Sequence, residues 1–369
     1  MTQRKKDIWL ICPGLGHINR GYETFSRQCF DTLRHSDKFE VYLYKGAGQN
    51  EPHEKALWCL KRNGTAAKWL AKLCKREPYF IEQFSFLLSI LPALVFKKPA
   101  IIFYSDFHLG TWLWHWRKIT GLRYKLLFCN GAPNGPPFTR SDHVQQLVPH
   151  HYQTAIQGGT PASMQTILPL GINMPNLQKN EAAHQSLLAK IAGRKIILSI
   201  GAVNASHKRM DYVLQEFAKL DAAAFFLVII GQLDAESAAI LQLAQKLLPA
   251  HNYSITTETL QSTMEIIALS DCFVLASLHE GFGIVLLEAA AVGLPVMVHD
   301  YEVSRQVLGS YGHYLNLSQP GSLSQAILQL FQHGYSVAEK QAQIAFIQNT
   351  YSWQALRPGY EALLEKLLE

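Results

Sequence analysis

The 369-residue sequence contains no HExxH, no DxD and no CxxC, and its six cysteines show no paired spacing. The first two absences argue against a dedicated metal site. Several of the cysteines (Cys12, Cys129, Cys272) stand in apolar, strand-like runs and read as small core residues in a reducing cytosol. No apolar run reaches the ~18 to 20 residues of a spanning helix. The longest, Phe84 to Phe96, is shorter and contains Pro92. The N-terminus, MTQRKKDIWLICPG, leads straight into a short strand, without the apolar core or small-residue cleavage site of a signal peptide. A cytoplasmic location is expected, with attachment to the inner membrane face if the basic segment described below touches lipid. Low-complexity tracts are absent too. Acidic residues are scarce in the first part of the chain: residues 1–150 hold 22 Lys and Arg against 11 Asp and Glu (+11). Residues 151–369 hold 12 against 17 (−5), so the overall +6 conceals a basic half suited to an anionic ligand or surface.

At 48% hydrophobic residues the chain can bury two cores. Its most informative stretch is LASLHEGFGIVLLEAAAVGLPVMVHD, Leu275 to Asp300. An apolar strand (Cys272 to Ala276) leads into a turn with Glu280, Gly281, Phe282 and Gly283. A small-residue helix from Ile284 follows and stops at Gly293 and Pro295. Strand, glycine turn and helix start together form an anion site, because free N–H groups and the helix dipole point at the turn. Glu280 and Glu288 bracket it, and from Gly283 to Glu288 is roughly 7 Å of helix rise. A sugar–phosphate ligand with hydroxyls at two separated places fits such a pair.

This pair, set in HEGFGIVLLEAAAVGLPV, resembles the E-x7-E motif of retaining glycosyltransferases of family 4. The resemblance implies an α/β GT-B fold: two Rossmann-like domains facing across a cleft, with a C-terminal helix crossing back to the first. It further implies Glu280 at the donor sugar's hydroxyls, Glu288 at the nucleotide ribose, and the backbone of Gly281, Phe282, Gly283 and Ile284 near the sugar and phosphates. TILPLGINMPNLQKN resembles the segment that ends the first domain, putting the boundary near Pro169 to Lys179. The expected domains are 1–172 (acceptor), 173–350 (nucleotide sugar) and 351–369 (the returning helix, with Pro358 and Gly359 allowing a kink).

In the first half, Ile8 to Cys12 reads as a strand opening into PGLGHINRGYETF, where Gly14 and Gly16 allow close backbone approach. The resemblance carries Gly14, Gly16, His17 and Arg20 to the acceptor and donor phosphates, although Arg20 taken alone reads equally well as solvated. Asp106 and His108 follow the strand Ala100 to Tyr104 and open a helix at the end of the sheet where ligands bind. His108 matches the cleft histidine of many family members; a helix-start histidine without catalytic role is the other reading. Asn130 stands where relatives often carry histidine, so its acceptor-side role departs from the pattern. In the second half, Lys208 and Arg209 follow the strand Lys195 to Gly201 and pair against a diphosphate. Ala202 stands where relatives have arginine, and Arg209 is expected to supply that cation. Gly231, closing the strand Phe225 to Gly231, adjoins the diphosphate by the same resemblance.

Between Glu51 and Lys98, Trp58, Trp69, Leu70 and Leu73 alternate with Lys55, Lys61, Arg62, Lys68, Lys72, Lys75 and Arg76. That profile reads either as an interfacial membrane contact or as core helices with a solvated basic face. The function expected is transfer of a sugar from a UDP- or GDP-sugar to a carbohydrate, lipid or small-molecule acceptor, with no other cofactor and no obligatory metal. A nucleotide-sugar epimerase and a non-catalytic membrane-binding protein are the alternatives. Nucleic-acid binding lacks any supporting motif.

Overall fold

The structure, a computed structural model, describes residues 5–18, 21–131, 135–175 and 184–369. It divides into two compact units, Met1–Asn173 with Trp353–Glu369, and Met174–Ser352. The expected boundary segment lies partly in 176–179, outside the described residues.

The first unit is built on a seven-stranded parallel sheet: β1 (Lys6–Cys12), β2 (Phe39–Lys45), β3 (Glu54–Ala56), β4 (Ile101–Tyr104), β5 (Lys125–Cys129), β6 (His143–Gln146) and β7 (Gln165–Ile167). Its order is β3-β2-β1-β4-β5-β6-β7. The connecting helices are α1 (Gly21–Leu33), α2 (Thr65–Cys74), α3 (Pro78–Lys97), α4 (Phe107–Thr120) and α5 (Pro149–Gln157). Helices cover both faces, so the central strands are continuous apolar runs, as parallel sheets require. Trp9 and Tyr44 on neighbouring strands pack 4.4 Å apart at the centre of this core.

At 20 residues, α3 is long and apolar enough to cross a membrane, which corrects the expectation drawn from the shorter Phe84–Phe96 run. The helix extends beyond that run to Pro78 through Glu82 and Gln83, which are buried, while Phe86, Ile90 and Leu94 enter the core.

The second unit holds a six-stranded parallel sheet of order β10-β9-β8-β11-β12-β13. Its strands are β8 (Lys195–Ile200), β9 (Phe225–Ile230), β10 (Tyr253–Thr256), β11 (Cys272–Leu275), β12 (Val296–His299) and β13 (Gly312–Leu315). Its helices are α6 (Gln185–Ile191), α7 (Met210–Phe217), α8 (Ser237–Leu247), α9 (Leu260–Leu269), α10 (Ile284–Ala291), α11 (Glu302–Leu308), α12 (Ser322–His333) and α13 (Val337–Tyr351). The last helix, α14 (Trp353–Leu368), belongs to the first unit. There Trp353 stacks on Phe25 at 5.7 Å, and the Tyr360 hydroxyl donates to the Pro169 carbonyl at 2.8 Å. α14 runs through Pro358 without a break, at the cost of one backbone hydrogen bond.

Each sheet reverses its winding once. In the first unit the chain moves outward from β1 to β3 and returns to the other side of β1 as β4. In the second it moves outward from β8 to β10 and returns beside β8 as β11. Loops leaving the carboxyl ends of strands at such a switch point diverge and leave a crevice, the usual ligand position in open α/β sheets.

Candidate active site

In the second unit the loops 201–209 and 276–283 leave the carboxyl ends of the neighbouring strands β8 and β11 at the switch point. Between these loops the Lys208 ammonium pairs with the Glu280 carboxylate, and His207 Nε2 stands 3.8 Å from the same carboxylate. Glu280 is largely buried, and its carbonyl accepts from the Tyr301 hydroxyl at 3.3 Å.

The Lys208 stem lies over Gly201, where a Cβ would come within 2.8 Å of it. Gly231 closes the next strand so tightly that a Cβ there would fall 1.7 Å from the Gly201 carbonyl oxygen. Asn204 fixes the loop: its side-chain oxygen accepts from the Lys208 N–H at 2.8 Å, and its amide donates to Asp234 at 2.8 Å. Asn204→Ala should therefore lower stability by about 1 to 2 kcal/mol for these lost bonds, measured by urea denaturation.

Arg209 caps α7 with a left-handed backbone (φ 52°). Its guanidinium lies 4.4 Å over the Tyr212 ring and donates to the carbonyls of Leu317 (2.6 Å) and Ala276 (3.5 Å). The two expected cations thus have different surroundings, Lys208 against a carboxylate and Arg209 against backbone.

Gly283 caps α10 at φ +82°, a region where only glycine is free of Cβ strain. No side chain caps this helix start, which leaves its N–H groups to face the turn. Gly281 is half-buried, while Phe282 and Ile284 are buried. Phe282 packs edge-on against Tyr351 at 6.0 Å. Glu288 lies further along α10, half-buried and without a hydrogen bond or ion pair to any described residue. Desolvation alone pushes its carboxyl up to about 7. An ionised carboxylate held without a partner at such a position is costly. Ser277, one residue beyond Ala276, likewise has a buried hydroxyl with no partner among the described residues.

The first unit carries a second polar cluster at its own switch point, β1/β4. Gly14 and Gly16 turn the chain after β1, closed by an Ile18 N–H to Gly14 carbonyl bond of 2.9 Å. His17 Nε2 lies 2.6 Å from Glu82, a carboxylate fully buried on α3. Arg62 donates to the other oxygen of Glu82 at 2.6 Å, stands 3.9 Å from Glu23, and lies 4.1 Å over the Tyr79 ring. Desolvation opposes the Glu82 charge, but the bonds from His17 and Arg62 outweigh it and hold the carboxyl below its usual range. The Tyr79 hydroxyl in turn bonds to Asp106.

Burial pushes Asp106 up to about 7 despite Tyr79 and Arg62, and its second oxygen is buried with no partner among the described residues. His17 and Asp106, expected from sequence, are therefore joined through Glu82, Arg62 and Tyr79, which were not.

Two other expected residues lie outside this network. His108 is exposed, with its ring 5.2 Å from Phe80 and 6.0 Å from Trp112; desolvation and nearby Arg76 hold its pKa below the usual value. Asn130 is buried and donates to Gln146 at 3.0 Å. Arg20 falls outside the described residues. A cavity of about 290 Å³ opens at the carboxyl ends of β4 and β5, lined among others by Tyr104, Phe107, Phe128, Phe138 and Arg140.

The two parallel Rossmann-like sheets and the returning C-terminal helix make this a GT-B fold. Residues 181–353, the greater part of the second unit, match the family model described as Glycosyl transferases group 1. No curated protein sequence matches the chain. Among solved structures, the sucrose-phosphate synthase of Thermosynechococcus elongatus is similar at TM-score 0.78 and 16% identity, covering 98% of this chain and 99% of its own. HepE of Anabaena in complex with UDP and glucose follows at TM-score 0.73 and 14% identity, covering 98% and 100%. A glycosyltransferase of Rickettsia africae has TM-score 0.73 and 14% identity, and covers both chains fully. At such identities the likeness speaks for the fold.

Proposed function

We propose that the chain is a retaining glycosyltransferase of the family 4 type, transferring a sugar from a UDP- or GDP-sugar to an acceptor hydroxyl without an obligatory metal ion. The observation that carries this reading is the Lys208–Glu280 pair at the β8/β11 switch point, beside the open start of α10, with the unpartnered Glu288 about one turn into that helix. The matched family model and the uridine ligands of HepE support it and favour a uridine donor.

In this reading the donor diphosphate meets Lys208 and the α10 N-terminus, fixed positive charges aimed at the oxygen where negative charge grows. Glu280 then bonds the sugar hydroxyls and Glu288 the ribose, holding the anomeric carbon in position. Arg209 adds its charge close by while its bonds to Ala276 and Leu317 hold the loop ends. The bond from the anomeric carbon to the diphosphate oxygen breaks as the acceptor oxygen bonds on the same face, and the leaving phosphate takes the acceptor proton. On the acceptor side the reading assigns His17, Asp106 and the cavity beside β4 and β5 to a carbohydrate, lipid-linked or small hydroxylated molecule.

Incubation with UDP- and GDP-sugars in the presence of a chelator, with nucleotide release and product anomeric configuration as readouts, tests the reading. Release of nucleoside diphosphate with the donor's configuration kept in the product is expected. Sugar interconversion without nucleotide release would mean an epimerase, and binding without turnover a non-catalytic protein.

A further inference from the structure

The helix α2 turns most of its large apolar side chains outward, with Leu70 alone half-buried against the cluster of Ala67, Ala71 and Ile81. Its buried side chains are the small Ala67 (1% exposed) and Ala71 (2%), whereas Trp69 (65%) and Leu73 (67%) face outward. An amphipathic helix on a water-facing surface places its large apolar residues inward, so this orientation needs an apolar medium outside. The neighbouring chain continues the pattern. Trp58 is exposed, and its carbonyl accepts from Ser89 on α3 at 2.7 Å, which brings it beside exposed Leu88, one helical turn from exposed Phe84. Around these apolar groups, Lys61, Lys68, Lys72, Lys75 and Arg76 are all exposed, with Glu77 the one exposed acid between Lys55 and Lys98.

We infer that α2 and the adjoining edge of α3 dock on an anionic phospholipid surface, Trp58, Trp69 and Leu73 entering the acyl boundary and the lysines meeting the headgroups. Aromatic and leucine side chains flanked by lysines match an interface that is apolar below and negatively charged at its rim. A second copy of the chain fits poorly, because it would set this dense positive charge against its own like. α3 itself remains a core helix in this arrangement, since Glu82 and Gln83 are committed to partners inside the unit.

The test uses the full chain with vesicles of phosphatidylcholine alone and with vesicles that also carry roughly 30 mol% phosphatidylglycerol, in the absence of nucleotide sugar. Its outcome is therefore independent of the donor reading. Flotation should show binding to the anionic vesicles that falls with salt. Lys68→Glu, Lys72→Glu and Lys75→Glu together should weaken it by about a hundredfold or more, since each cation near such a surface contributes roughly a fivefold gain. Trp69→Ser with Leu73→Ser should weaken it at least about tenfold. Brominated lipids should quench wild-type fluorescence, and part of that quenching should vanish in Trp69→Phe. An unchanged melting temperature and an unchanged far-ultraviolet circular dichroism spectrum control for folding. No binding to either vesicle, binding indifferent to both sets of variants, or a dimer abolished by Trp69→Ser would each overturn the inference.

Discussion

Replacing Glu288 with glutamine should weaken nucleotide binding about tenfold to a hundredfold and at the same time stabilise the protein at pH 8. The two effects share one cause. The folded protein holds this carboxyl at about 7, above the ordinary 4.5, because burial removes water and no described group replaces it. A carboxyl whose folded pKa is raised binds its proton more tightly in the folded state. Stability is therefore intact below about pH 4.5, falls as pH rises toward 7, and stays low above it. The full penalty is on the order of 2 to 3 kcal/mol, reduced because the side chain is only half-buried.

Glutamine carries no charge, so Glu288→Gln should gain stability over wild type at pH 8 and almost none at pH 4.5, read by urea melts. If ribose hydroxyls bond to the ionised carboxylate, the variant loses charge-assisted bonds worth about 1.5 to 3 kcal/mol. Binding of UDP near pH 6.5 should also release a proton in wild type and none in the variant. Calorimetry in buffers of different ionisation enthalpy measures both quantities. Equal affinity and equal proton release would remove Glu288 from the ligand.

Much of the fold could be read along the chain because parallel strands buried on both faces are written as apolar runs. Ile8–Cys12, Phe225–Ile230 and Cys272–Leu275 declare themselves this way. The edge strands do not: β3 reads EKA and β7 reads QTI, three residues each, held by pairing to a neighbour rather than by their own pattern. The turn Glu280–Gly283 and Lys208 were visible because strand, glycine and helix follow one another within a short span. The first unit's cluster was not, because its bonds join residues 17, 62, 82 and 106, which only the folded sheet brings together. One signal was present in Glu82 and Gln83, an acid and an amide side by side in a largely apolar helix, which burial obliges to find partners. The direction in which α2 faces was likewise beyond the pattern, since period alone does not say which side of an alanine- and lysine-rich helix meets the core.

Lys208→Ala should lower kcat by about a hundredfold to a thousandfold while the donor KM changes only a few-fold. The asymmetry arises because charge on the diphosphate oxygen is small in the bound donor and large at the moment of bond breaking, so the ammonium acts mainly there. A loss of this kind needs separating from simple damage, since Glu280 is largely buried and depends on the same lysine. Removing one partner of a buried pair leaves the other charge unpaired and costs stability, whereas removing both leaves little to compensate. Lys208→Ala alone should therefore melt earlier than wild type, with His207 Nε2 still 3.8 Å from the Glu280 carboxylate. Lys208→Met combined with Glu280→Gln should recover most of that stability and none of the turnover. If the double variant regains activity along with stability, the pair is a structural strut and the transition-state charge is met elsewhere. If it is stable and inactive, the pair serves turnover rather than stability alone, and the kcat-against-KM split of Lys208→Ala assigns the lysine's share to the leaving group.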